Sequence, residues 1–151
     1  FIVHRLSFIV RGLGVWEEMA TVERFEDLEA WKRARELARA VYLATGAKKM
    51  DRDWDLRRQM RRAAVSVMAN IAEGFARGGN REFVQFLSVA RGSVAEVRSH
   101  LYLGTDLGYA PAAKARALHL LCERTGQVIS GLMRYLRTSK RTGPKYRKPG
   151  K

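Results

Sequence analysis

The sequence predicts an all-α protein, an antiparallel up-down-up-down four-helix bundle. Apolar residues recur three and four positions apart along four long segments, which is the spacing that places them on one face of an α-helix. Short connections join these segments, as expected where consecutive helices are neighbours. The chain has 151 residues and only 3 prolines, and this length suits one domain with a buried core.

The first helical segment begins after residues 25–27, where Asp27 is a candidate N-cap because its side chain can accept a hydrogen bond from a free backbone N–H. Gly46 is a suitable end point. Trp31 is expected to have a structural role in the apolar stripe of this helix. The stripe consists of Leu28, Trp31, Leu37 or Ala38, Val41 and Tyr42.

The second segment opens near Asp53 and Asp55, since acids are favourable at a helix N-terminus, and ends at Gly78 and Gly79. One apolar line consists of Leu56, Met60, Ala63, Val67, Ile71 and Phe75, and a neighbouring line of Ala64, Met68 and Ala72. A helix with two apolar faces has to bury both. We therefore expect this helix at the centre of the bundle or at a subunit contact.

Asn80 is the predicted cap of the third segment, which extends to about Thr105, and Pro111 fits the first turn of the fourth. The third stripe consists of Phe83, Leu87, Ala90, Val94, Val97 and Leu101. The fourth consists of Leu118, Leu121, Thr125, Val128, Leu132 and Tyr135 or Leu136, which alternate by three and four as in a bundle seam. The bundle is expected to occupy residues 19–137.

Residues 1–18 differ from the rest of the chain. They are apolar but contain Arg5 and Arg11, so the stretch is too charged for a membrane span and lacks the uninterrupted apolar centre of a signal peptide. Met19 then opens a stretch with the character of a natural start. We interpret residues 1–18 as a non-native or over-extended N-terminal segment. An interfacial anchor is the alternative, although its polar face is poor.

The last residues, 138–151, form a basic segment with two prolines and no acid, which we expect to be a flexible tail because it cannot bury enough apolar surface to fold alone. Its cations are Lys140, Arg141, Lys145, Arg147, Lys148 and Lys151. They account for less than half of the net charge of +14. The bundle itself is therefore also expected to be basic, and such a balance favours association with polyanions.

Four stretches of the chain, residues 25–31, 59–74, 81–97 and 106–109, resemble the four helix bundle protein family. This family is also called the large-subunit ribosomal RNA intervening-sequence protein, because some members are encoded within such insertions. The resemblance covers residues 25–137, and its most specific part is Ala-Asn-Ile-Ala-Glu-Gly at residues 69–74. It implies the fold and a homo-oligomer, since relatives form homopentameric rings.

The resemblance says less about function, because most of the family has no assigned biochemical role. A more distant branch, the accessory variability proteins of diversity-generating retroelements, is basic, binds nucleic acid and works with a reverse transcriptase. This chain departs from the usual family pattern at Met68, where relatives tend to carry proline, and in its basic tail. The first departure predicts a straighter second helix, and the second favours a nucleic-acid role.

Within the bundle, cations are densest at the start of the second helix. The candidate nucleic-acid contacts are Arg57, Arg58, Arg61 and Arg62, supported by Lys48, Lys49, Lys32 and Arg35 and by the tail cations. Arginines one turn apart repel each other, and phosphates would relieve that repulsion through paired hydrogen bonds. The alternative is a solvated face whose arginines pair with Asp51, Asp53 and Asp55 and with acids on neighbouring helices. No sequence-specific recognition motif is present.

Ser66, Asn70 and Glu73 fall on neighbouring turns of the second helix, and a structural role is favoured over catalysis. Ser66 and Asn70 can form hydrogen bonds across helices and fix their register. Glu73 is expected to cap the helix or to pair with an arginine from another helix, and Gly74 belongs to the same structural set as a helix-end glycine.

No metal site or cofactor is predicted. Although each helix carries an acid, the Glu-x-x-His spacing of di-iron bundles is missing, since Glu96 and His100 stand four apart. His119 has no acid three positions away on its helix. Cys122 is expected to be a small core residue. A single cysteine makes no internal disulfide, and a cytoplasmic location is expected.

These observations predict a non-enzymatic protein that binds structured RNA or DNA as an oligomeric accessory subunit. A reverse transcriptase or an RNA-processing complex would be its protein partner. The alternative is a protein-interaction scaffold without a direct nucleic-acid role. The two differ in whether the arginines project from one continuous face or are mostly paired to acids.

Overall fold

The computed structural model of the chain describes residues 22–139. Over this range the chain forms four α-helices and no β-strand, which confirms the all-α prediction. The helices are α1 (Glu29–Ala44), α2 (Trp54–Ala76), α3 (Asn80–Asp106) and α4 (Ala112–Thr138), and short 3-10 turns at Phe25–Asp27 and Lys48–Met50 precede α1 and α2. None of these helices is long and apolar enough to cross a bilayer. The predictions for residues 1–18 and for the tail from Lys140 onwards lie outside the described residues.

Each helix packs on two others: α2 and α4 both contact α1 and α3, and the interface between α2 and α3 is the most extensive. The Tyr109 hydroxyl, just after α3, donates to Asp53 Oδ2 at the start of α2 over 3.0 Å. At the other end, the rings of Phe75 and Phe83 meet edge-on with centroids 6.1 Å apart. The beginning of α2 therefore lies beside the end of α3, and the end of α2 beside the beginning of α3.

The core contains most of the residues that the periodicity selects. Every predicted stripe residue of α3 is buried, and on α2 Ala64 is buried together with the main apolar line. Met68 and Phe75 are partly buried and pack against this core. The two apolar faces of α2 are thus both used, and the helix is uninterrupted at Met68.

Several predicted details are wrong. Tyr42 is 46% exposed instead of buried, because it lies at the edge of the α1 stripe. Leu28, and not Asp27, occupies the N-cap of α1, without a side-chain cap. Helix α3 begins at Asn80 itself after extended Gly79, and Pro111 is the N-cap of α4 instead of part of its first turn.

Helix α4 buries a wider stripe than predicted. Cys122, Ile129 and Met133 are all buried, whereas the predicted core residues Leu121 and Val128 are only partly buried. The reason is that α4 packs on both α1 and α3, so the buried surface extends to either side of one seam line. The prediction that Cys122 is a core residue is confirmed.

A polar chain links α2 to α3 at mid-length. Asn70 Nδ2 donates to Ser66 Oγ at 3.0 Å and to the Ser66 carbonyl at 2.8 Å, and the hydroxyls of Ser66 and Ser93 are 2.9 Å apart. Ser93 is itself within bonding distance of the Val89 carbonyl, at 3.2 Å. Ser66 therefore forms the expected bond between helices, whereas Asn70 bonds within its own helix and supports Ser66.

Close approach of α2 and α3 requires Gly74. A Cβ atom at this buried position would lie 2.7 Å from both Phe83 Cδ2 and Phe86 Cβ, which is shorter than van der Waals contact. For the adjacent Glu73 we expect either a capping role or an arginine partner on another helix, and within residues 22–139 no partner on another helix is present. Its carboxylate pairs with Arg77 one turn later at 2.7 Å, because both side chains point to solvent at the end of α2.

Candidate nucleic-acid interface

An open groove of about 550 Å³ lies between the end of α1 and the first half of α2. We call it the α1–α2 groove. Its lining residues are Tyr42, Trp54, Arg57, Arg58, Arg61, Arg62, Val65 and Ser66. All four arginines that the sequence singles out therefore meet in one place.

The start of α2 explains this convergence. Asp53 Oδ1 accepts a hydrogen bond from the Leu56 backbone N–H at 3.0 Å, so the N-cap fixes where the helix begins. Residues three and four apart then share a face, which brings two arginine pairs and Trp54 to the same side. Leu56 and Met60, between them in sequence, point into the core.

Arg61 is held in place from two sides. Its Nε donates to Thr45 Oγ1 at 2.9 Å, and its guanidinium lies over the Tyr42 ring at 4.6 Å from the centroid. Thr45 is fully buried, and its hydroxyl donates to the Val41 carbonyl at 2.8 Å. Within residues 22–139 Arg61 has no carboxylate partner. Its terminal nitrogens are thus oriented but not neutralised.

The other three arginines differ in their pairing. Arg57 lies over the Trp54 ring at 5.2 Å and reaches Asp51 at 3.4 Å. Arg58 contacts Asp55 at 3.1 Å through largely exposed side chains. Exposed pairs of this kind contribute little stability, so a phosphate can replace the carboxylate. Arg62 is exposed and forms no ion pair within the described part of the chain.

The pairing of the four groove arginines bears on the choice between a polyanion surface and a neutralised face. The arginines form one continuous surface, and within residues 22–139 acids pair with only two of the four. Asp53, the third acid expected to neutralise the cluster, instead caps α2 and accepts from Tyr109. The groove thus keeps an excess of positive charge.

Of the remaining predicted cations, the four that lie within residues 22–139 do not line the groove. Lys48 and Lys49 are exposed in the turn that precedes α2. On α1, the Arg35 guanidinium lies 5.7 Å from the Trp31 ring centroid, and Lys32 is half-buried. Trp31 in turn meets Phe25 edge-on with centroids 5.1 Å apart. Lys140, Arg141, Lys145, Arg147 and Lys148 fall beyond the last described residue.

The sequence does not predict the two aromatic residues of the groove, Trp54 and Tyr42, or Thr45, which holds Arg61. Trp54 lies between the two acids that predict the start of the second helix, and its position three before Arg57 is a local signal for an arginine stacked on an aromatic ring. Tyr42 was assigned to the core. Thr45 gave no signal, because its contact with Arg61 joins residues sixteen positions apart.

A second groove of about 690 Å³ lies between α3 and α4. Arg91, Arg98 and Arg134 line it together with Cys122 and small residues, and Arg98 pairs with Glu123 at 3.5 Å. Burial raises the pKa of the Cys122 thiol to about 11, so this cysteine stays protonated near neutral pH. In the described range, no three histidine, cysteine or acidic side chains gather as metal ligands would.

Comparison with known proteins identifies relatives. The profile of the 23S rRNA-intervening sequence protein family matches residues 26–131. A crystal structure of a protein of unknown function from the S23 ribosomal protein family of Bacteroides thetaiotaomicron has a similar fold, with a TM-score of 0.63 at 16% identity over 69% of this chain and 97% of that chain. No functionally curated protein shows significant sequence similarity to the chain.

Proposed function

The chain belongs to the 23S rRNA-intervening sequence protein family, and from this premise we propose that it is a non-enzymatic nucleic-acid-binding protein. The α1–α2 groove is its phosphate-binding surface. The observation that carries the proposal is the convergence of Arg57, Arg58, Arg61 and Arg62 on one open groove, where Arg61 and Arg62 lack acidic partners within residues 22–139.

Electrostatics support this function. The net charge of +14 attracts any polyanion, and arginine binds phosphate oxygens through two parallel hydrogen bonds. Each phosphate contact releases condensed counterions, so affinity should fall steeply with salt. The family description names an insertion in ribosomal RNA but no ligand, so structured RNA and DNA are both candidate ligands.

The proposed assembly is a homo-oligomer of up-down-up-down bundles, a pentameric ring by family resemblance. The pairing of the start of α2 with the end of α3, through Tyr109 and Asp53, supports the up-down order. In a ring the groove would be repeated around the axis, and several weak contacts would act together. A cytoplasmic reverse transcriptase or RNA-processing complex is the partner proposed for such an accessory subunit.

A salt series tests the function directly. Binding of the full-length protein and of a truncation ending at Arg137 is measured against a structured RNA and a matched DNA duplex. The proposal expects affinity that falls steeply with salt and survives the truncation. If the truncated protein no longer binds, the groove is not the binding surface. If the full-length protein binds neither ligand at physiological salt, the proposed function is refuted.

The protein-interaction scaffold remains the second candidate because of one observation. The contacts of Arg57 with Asp51 and of Arg58 with Asp55 reduce the charge of the groove without any ligand. A scaffold would show no salt-dependent binding to either nucleic acid, and its oligomeric state would be unaffected by replacing the groove arginines.

A further inference from the structure

We propose that the α1–α2 groove holds an unpaired nucleobase, stacked on Trp54 or Tyr42, while the adjacent arginines hold the flanking phosphates. The proposal rests on the nucleic-acid-binding function proposed above and narrows its ligand to loops, bulges or single-stranded ends. It comes from a juxtaposition in the groove: two exposed aromatic rings, each with an arginine over it.

Both aromatic rings of the groove are accessible to a ligand. Trp54 is 69% exposed and Tyr42 46% exposed, so most of the indole surface remains accessible even with Arg57 at 5.2 Å. Single exposed apolar residues are normal on a protein surface. Two large aromatic rings that share a groove with four arginines are the combination with which proteins bind single-stranded nucleic acid.

Only unpaired nucleotides can stack on these rings. In a duplex each base is stacked between its neighbours and cannot offer its face to a side chain, whereas unpaired bases can be splayed out and stacked on aromatic rings or on arginine planes. The groove volume of about 550 Å³ lies within the usual range for small-ligand sites. Its open form leaves room for the chain to continue on both sides.

The groove has few polar groups that could select one base over another. Apart from the guanidinium groups, the polar groups of the lining are the Trp54 indole N–H, the Tyr42 hydroxyl and the Ser66 hydroxyl. Ser66 is already bonded to Asn70 and Ser93, and the indole N–H can only donate. Few groups are thus left to read base edges. Stacking tolerates every base because each has a π-face, so the groove should distinguish unpaired from paired nucleotides but hardly one base from another.

The test compares two RNAs with the same stem: a hairpin with an unpaired loop and a blunt-ended duplex. Trp54→Ala is expected to weaken binding of the hairpin by about five- to a hundredfold, which is the usual effect of losing one stacked base. Binding of the duplex should change less than twofold. Trp54→Phe should retain most of the affinity, and Trp54→Leu, which keeps the apolar bulk, should lose it.

Leu43→Ala is the matched control, because Leu43 is 71% exposed beside Tyr42 but does not line the groove. If the native protein binds both RNAs and Trp54→Ala weakens neither, or both equally, stacking is refuted while the phosphate-binding function stands. If the native protein binds neither RNA, stacking is refuted, and the phosphate-binding function stands only if the protein binds the matched DNA duplex. The oligomeric state of Trp54→Ala is measured by light scattering. If this variant dissociates but still binds the hairpin, the aromatic rings form a contact between protein chains and stacking is refuted.

Discussion

Thr45 and Arg61 are joined by a hydrogen bond of 2.9 Å from the guanidinium Nε to the threonine hydroxyl, which ties the C-cap of α1 to the middle of α2. The hydroxyl is fully buried and donates its own proton to the Val41 carbonyl, so it is available to Arg61 only as an acceptor. A helix cap thus positions a candidate ligand-binding side chain.

Replacing Thr45 by valine should weaken nucleic-acid binding without unfolding the protein. Valine keeps the shape but removes the acceptor, so Arg61 loses its orientation and its Nε loses a partner. We expect a several-fold loss of affinity, and a stability loss of about 1–3 kcal/mol, because the bond accepted from Arg61 and the bond donated to the Val41 carbonyl are both lost. Titration at fixed salt and thermal unfolding measure the two effects. Thr45→Ser keeps the hydroxyl and should bind like the native protein; equal losses in both variants would contradict the positioning role.

Gly74→Ala should destabilise the bundle. The new methyl group would lie 2.7 Å from atoms of Phe83 and Phe86, and overpacking of a core typically costs about 1–3 kcal/mol. Gly92→Ala provides the control, since a Cβ there meets nothing within 4 Å and alanine favours a helix by up to about 1 kcal/mol. Urea unfolding should shift in opposite directions for the two variants. A Gly74→Ala protein as stable as the native one would show that α2 and α3 can separate without loss.

Ser66 and Ser93 should be energetically coupled. Their hydroxyls form the side-chain bond between α2 and α3 at mid-length, at 2.9 Å, and one such bond contributes about 0.5–1.5 kcal/mol. A double-mutant cycle with Ser66→Ala and Ser93→Ala isolates this term. Strictly additive losses of unfolding free energy would mean that the hydroxyls are neighbours without a stabilising bond.

Cys122 should make stability decrease in alkaline solution. Burial raises the pKa of its thiol from a usual value of 9.0 to about 11, so between these pH values the unfolded chain has released a proton that the folded chain still holds. The free energy of unfolding attributable to this group is complete below pH 9 and falls towards pH 11, by at most about 1.4 kcal/mol per pH unit. Urea unfolding from pH 8 to 11 measures it. Since lysines and tyrosines titrate there too, the informative quantity is the difference from Cys122→Ala, and parallel curves would refute the effect.

The helices and most of their buried residues could be predicted from the sequence, because burial follows the helical period. Asp53 marks the start of α2 through its local cap, and the Ala64 line correctly indicates a second buried face. The period locates the centre of a stripe better than its edges. The period therefore predicts Tyr42, at the edge of a stripe, as a core residue although it is exposed. For the same reason it does not select Ile129 and Met133, which are buried because α4 packs on two neighbours.

The candidate site was only half predictable. Clustered charge along α2 identifies the arginines. Their surroundings also depend on residues of α1, and the spacing of residues along α2 does not predict these contacts. Thr45 and Tyr42 reach Arg61 through the packing of α1 on α2. Glu73 is the converse case: of its two expected roles, capping or pairing with an arginine on another helix, the second is not found, because Arg77, the C-cap of α2, lies one turn away.

The most direct test of the account replaces Arg58, Arg61 and Arg62 by glutamine and compares this variant with one in which Arg116, Arg124 and Arg137 are replaced. The second set is exposed on α4, which does not line the α1–α2 groove, so both variants lose the same net charge. Affinity for a structured RNA is measured from low to physiological salt. Each lost phosphate contact should reduce the slope of log affinity against log salt by about 0.7–0.9.

For the groove variant we expect a clear loss of affinity for the RNA and a shallower slope of log affinity against log salt. For the α4 variant we expect little change in either. Equal losses in the two variants would contradict it, because they would show that the RNA responds to total charge and not to the groove.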